Sequence, residues 1–137
     1  MESIEFNFYG KQYSLNEEKC KVFFDDENFP LENFDFEDVI ELLSYGVYDF
    51  DVEYFSSACE SCKFGVAEKL KAFPFLEYHF YAFSSGGKYV LSSLSKEYEE
   101  MSYEKLVSIG KVDHMYLVSI IVCKECGDYS IEVEFVE

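Results

Sequence analysis

The sequence predicts an α+β fold, built mostly of antiparallel strands with two or three short helices and two Cys-x-x-Cys knuckles brought together. Three observations lead there. Apolar and polar residues alternate over several separate stretches, the period of a half-buried strand. Helical spacing of apolar residues is confined to short runs between them. Phe 15 and Tyr 12, in a chain of 137 residues, supply enough aromatic area for a packed core. That length suits one domain, residues 1–137, with no linker or low-complexity tract to divide it.

At the N-terminus, Ile4, Phe6 and Phe8 alternate with Glu5, Asn7 and Tyr9. Gly10-Lys11 and "QYSL" follow, the pattern of a hairpin with one buried face. A polar stretch from Asn16 holds Cys20, then comes a short apolar piece, Val22 to Phe24, and a loop, "DDENFP". Asp35 is placed to cap a helix from Phe36 to about Tyr45, with Phe36, Val39, Ile40 and Leu43 on one side and Gly46 at its end. "VYDFDVEYF" alternates strictly: Tyr48, Phe50, Val52 and Tyr54 against Asp49, Asp51 and Glu53. Beyond "CESC", "GVAEKLKAF" reads as a short helix ended before Pro74. "FLEYHFYAF", "SSGGK" and "YVLSSL" form a hairpin around glycines, and Ser102 caps a helix from Tyr103 to Ile109, closed by Gly110. The last unit is a strand at 114–122, the second cysteine pair, and a strand at 129–136.

Charge narrows the functional classes. Eleven lysines against 28 acids leave a net charge of −17, and there is no arginine. Residues 1–60 carry 16 acids and 3 lysines, and from Val22 to Cys62 no positive side chain interrupts 12 acids. Binding a phosphate backbone needs clustered Lys or Arg, so direct nucleic-acid binding is not expected. An anionic membrane surface would repel the chain. Solubility, a cation or a basic protein partner are the uses of charge that remain, with mimicry of nucleic-acid charge a more distant one. "MESIEFNFYGK" lacks the basic start and long apolar run of an export signal, and Met115–Cys123 is too short to span a bilayer. A cytoplasmic location follows, and the absence of Arg and Trp beside many Lys, Glu, Phe and Tyr suits an AT-rich bacterial genome. In a reducing compartment five cysteines, an odd number, are not a disulfide framework.

The chemistry lies in Cys59, Cys62, Cys123 and Cys126. Each Cys-x-x-Cys presents two thiolates from one tight turn, and two turns complete a tetrahedral site. Gly127 follows Cys126, where a positive φ is often needed. The stretch Cys123–Gly127 resembles zinc-ribbon and rubredoxin-like knuckles. Cys59–Cys62 fits that pattern more loosely, with Gly65 three residues on, and 60 residues separate the pairs where a ribbon has far fewer. The resemblance therefore carries over the four ligands and not the ribbon fold. In length and paired motifs the chain also resembles an uncharacterised family of clostridial proteins. The expected metal is one structural zinc per chain, with iron less favoured. Four thiolates leave no open position for a substrate water, so the site should stabilise rather than catalyse.

Other readings stay open. "SSACESCKFGVAEKL" puts a CxxC between a strand and a helix, as thiol–disulfide oxidoreductases do. Yet Pro74 comes too soon for that fold's proline loop, and the usual aromatic and proline around the pair are missing. Unrelated buried cysteines are the third possibility. Cys20 reads as a partly buried small residue, His79 and His114 as strand residues, and Asp49, Asp51 and Glu53 as a solvated face. "SSGGK" lacks the spacing of a phosphate loop, and no hydrolase or zinc-protease motif is present. The sequence thus reads as an interaction module held by zinc, or alternatively as a thiol-based redox or metal-responsive protein. Nothing positive supports an enzyme.

Overall fold

A computed structural model describes residues 3–44 and 49–137. The first element forms because Tyr9 and Gly10 both take positive φ, 47° and 83°, the twist of a two-residue hairpin turn. They join β1 (Ile4–Phe8) to β2 (Lys11–Leu15), a separate two-stranded sheet that turns Phe6, Tyr13 and Leu15 inward.

The larger sheet runs in the order β3-β8-β7-β5-β4, with β6 paired to the far half of β5. Its strands are β3 (Cys20–Phe24), β4 (Asp51–Phe55), β5 (Phe73–Ser85), β6 (Lys88–Ser92), β7 (His114–Cys123) and β8 (Tyr129–Phe135). All pairings are antiparallel except β3 with β8. The β5–β6 turn is Gly86-Gly87, both left-handed, as the expected glycine hairpin requires. Alternation sends Tyr116, Val118, Ile120 and Val122 of β7 to the buried face with Leu76 and Phe80 of β5 and Ile131 and Val133 of β8.

Helix α1 (Phe36–Leu43) closes over this core with Val39, Ile40, Leu42 and Leu43. Asp35 accepts from the Asp38 N–H while the Asp38 carboxylate accepts from the Asp35 N–H, a reciprocal cap. Tyr45 and Gly46, where the helix was expected to end, and Val47 and Tyr48, where the next strand was expected to begin, lie outside the described residues. Helix α2 (Tyr103–Ser108), capped by Ser102 and closed at Gly110, buries Leu106 in a second cluster with Phe83, Leu91 and Val112. A 3-10 turn at Lys96–Tyr98 is added between β6 and α2.

Two expectations need correction. The strand begins only at Asp51: Phe50, just before β4, and Val52 within it do meet the core, but Tyr54 of the same set is 67% exposed. The helix expected over "GVAEKLKAF" is a series of turns. Lys63, Gly65 and Lys69 all take positive φ, and the Leu70 N–H reaches back to the Gly65 carbonyl. The apolar spacing is helical, yet left-handed residues interrupt the ladder after a single turn. Gly65 also lies hard against its neighbours, since a Cβ there would stand 2.8 Å from Leu70 Cδ1 and 3.1 Å from the Phe73 ring.

Candidate metal centre

Strand register explains why the two cysteine pairs meet. Phe55 is opposite Phe73 at one end of the β4–β5 pair, and two residues on, Phe75 is opposite Cys123. The β4–β5 connection, carrying Cys59 and Cys62, and the β7–β8 connection, carrying Cys126, therefore leave the sheet at one end. The 60 residues between the pairs run the length of β5, build β6 and α2, and return along β7.

The four sulfurs lie within 4.8 Å of one another. Cys59 Sγ is 3.7 Å from Cys126 Sγ, and Cys62 Sγ is 3.7 Å from Cys123 Sγ. Both contacts link one pair to the other, and both are far longer than a disulfide bond of about 2.05 Å. A tetrahedron with metal–sulfur bonds of about 2.3 Å has edges of about 3.8 Å. The cluster fits a four-thiolate ion, and these four side chains could hold one.

The knuckles share one backbone design. The residue after the second cysteine donates its N–H to the carbonyl of the first, Lys63 to Cys59 at 2.8 Å and Gly127 to Cys123 at 3.0 Å. Both residues are left-handed, Lys63 at φ 52° and Gly127 at φ 82°. Lys63 thus stands where the second pair has glycine, and the Gly65 noted in the sequence serves a different contact. With the chain turned this way, N–H groups point at sulfur. Burial raises the Cys59 pKa, but the Cys62 and Ser61 N–H groups and the neighbouring thiols outweigh it, leaving the thiol below its usual value. Cys123 and Cys126 are pushed up, first by burial and further by the neighbouring thiols, although N–H groups of Glu125, Cys126 and Asp128 oppose the rise. A cation supplies the charge that lets several thiolates share so small a space.

Comparison with known proteins adds the family. The model of a family described as "Protein of unknown function (DUF3785)" matches residues 4–137. The chain belongs to this family. No curated protein and no solved structure matches it. The DUF3785 match takes in both knuckles and every strand of the larger sheet.

Elsewhere in this DUF3785 chain, the remaining candidates fall away from the sulfurs. Cys20 is half-buried on the edge strand β3, its thiol pushed up chiefly by burial. His79 and His114 sit on β5 and β7, as expected. His79 Nδ1 lies 2.8 Å from Ser119 Oγ and Nε2 lies 2.9 Å from Glu77 Oε1, a chain of contacts absent from any sequence motif. All three stand mid-strand, His79 opposite Ser119 and Glu77 opposite Ile121. A cleft of about 650 Å³ between α1 and residues 89–99 also escaped the sequence reading. Asp38, Glu41, Glu97 and Glu99 line it beside Leu42 and Tyr89. No helix among the described residues is long and apolar enough to cross a membrane.

Proposed function

We propose that this protein is a small cytoplasmic domain in which Cys59, Cys62, Cys123 and Cys126 bind one structural zinc ion, in zinc-ribbon-like knuckles on a different fold. The observation that carries the reading is the pair of 3.7 Å sulfur contacts between knuckles of matching turn geometry. Zinc is favoured over iron because no partner redox motif accompanies the cysteines. Bound there, the ion would close a loop of about 60 residues, and clips across long loops gain most. Its task is to stabilise, since four thiolates complete the coordination.

The bound surface is the acid-rich segment between residues 25 and 60, meeting a basic protein partner. Support comes from the lysine-free run of acids and from the cleft, where Asp38 and Glu41 of that segment join Glu97 and Glu99. A thiol-redox role competes through Cys62, the one exposed member of the four. Metal content of protein purified without chelator, with thiol titration before and after stripping, separates the two. About one zinc per chain, and four thiols reactive only after its removal, supports the structural site. Metal-free protein whose thiols react at once and oxidise in pairs would sink it.

A further inference from the structure

The three lysines of the first 60 residues all converge on the second knuckle. Lys11 Nζ donates to the Lys124 carbonyl at 3.1 Å and also to the Glu125 carbonyl. Tyr13 Oη, on a side chain otherwise buried, donates to the same Lys124 carbonyl. Lys19 Nζ donates to the Cys126 carbonyl at 3.3 Å, and Lys19 and Lys21 each lie 3.9 Å from the Asp128 carboxylate. Three consecutive carbonyls, 124 to 126, are thus held by donors from residues 11–19. Among the described residues no lysine or tyrosine does this for carbonyls 60–62 of the first knuckle.

The other ends of those peptides matter. The peptide whose oxygen is Lys124 carries the Glu125 N–H, and the peptide whose oxygen is Glu125 carries the Cys126 N–H. Those two N–H groups are the ones directed at Cys123 Sγ. A cation on a peptide oxygen draws electron density from the nitrogen and makes the N–H a stronger donor, the cooperativity of linked hydrogen bonds. Lys11 therefore acts on both N–H groups at once, through two peptides. Its charge also opposes the net −2 of four thiolates around a dication.

We propose that Lys11, supported by Tyr13 and Lys19, is a positioning residue for the metal, strengthening the second knuckle's grip through its peptides. The inference rests on the metal reading of the four cysteines. By reciprocity, the ion in turn holds the β1–β2 hairpin in place. A lysine that merely docks the hairpin would stabilise metal-free and metal-loaded protein equally and leave affinity untouched.

The test is zinc affinity of the full chain by competition with a chromophoric chelator, comparing wild type with Lys11→Met, Lys11→Arg, Tyr13→Phe and a distant control, Lys111→Met. Outer-shell partners typically contribute 10- to 100-fold in metal affinity. Lys11→Met is expected to weaken zinc by about tenfold, Tyr13→Phe by less, with Lys11→Arg and the control close to wild type. The cobalt-loaded protein gives a second readout, a shifted sulfur-to-metal charge-transfer band in Lys11→Met alone. Unchanged affinity and spectrum in Lys11→Met, with melting lowered equally with and without metal, would overturn the proposal and leave the metal site standing. Wild type that takes up no metal would remove the underlying reading as well.

Discussion

The two knuckles share a turn and differ in what surrounds it. The second closes a hairpin between β7 and β8, has glycine at its left-handed position, buries Cys123 to 2%, and is clasped by Lys11, Tyr13 and Lys19. The first lies in the irregular connection between β4 and β5, places Lys63 in the left-handed conformation, and leaves Cys62 exposed. One half of the site is built by the fold before any ion arrives. The other half is held by local turns and has no lysine or tyrosine clasp among the described residues, so ordering it would fall more to an ion bound as proposed.

Removing the proposed ion is the strongest way to test this asymmetry. With free zinc at about a thousandfold its dissociation constant, binding would stabilise the fold by about 4 kcal/mol, so chelation should lower the melting temperature by roughly 15 °C. Hydrogen exchange should then accelerate over 56–72 far more than over 123–129. Equal acceleration in both segments would erase the distinction between them.

Gly65→Ala comes next. It combines a left-handed backbone with contact against Leu70 and Phe73, and should cost about 2 kcal/mol in denaturant titration. At Gly127 there is room, with the nearest atom to a built Cβ, on Tyr13, at 3.8 Å. Gly127→Ala should therefore cost only the backbone strain, about 1 kcal/mol. Lys63→Gly should do the reverse, relieving the first knuckle by up to about 1 kcal/mol. A destabilised Lys63→Gly would mean that the lysine side chain contributes something its backbone strain conceals.

The smallest effect belongs to the opposite end of the β5–β7 pair, where a carboxylate ties the chain. Asp113 accepts from the Gly86 N–H at 2.8 Å and from Ser84 Oγ at 3.1 Å, which hold its pKa below the usual value. A depressed folded pKa gives stability that is present above the unfolded value near 4 and is lost as pH falls through the folded one. Wild type should show this acid limb in melting temperature, and Asp113→Asn should flatten it.

The sequence reading succeeded where the signal was local. Asp35 and the apolar spacing behind it marked α1, Ser102 and Gly110 bracketed α2, and the paired spacing of cysteines named the four residues that meet. It failed over 65–73, where the apolar spacing is helical but Gly65, packed against Leu70 and Phe73, and Lys69 both take left-handed backbone. The clasp on the second knuckle was invisible for a different reason. Its bonds join residues more than 100 positions apart, and lysine on a polar stretch carries no mark of its partner.

The parallel pairing of β3 with β8 bears on how the chain is made. Residues 20–24 are synthesised about a hundred positions before the strand that receives them, and β8 lies between β7 and β3. At translation rates of roughly 5–20 residues per second, β3 waits on the order of 5–20 s for its neighbour. During that interval Val22 and Phe24 lack their strand partner, and the charges around them are Glu17, Glu18, Lys19 and Lys21 on one side and Asp25 and Asp26 on the other. In the folded chain β3 stays at the sheet's edge, and Lys19 just before it and Lys21 within it are charges of the kind that blunt an exposed edge against pairing with another chain.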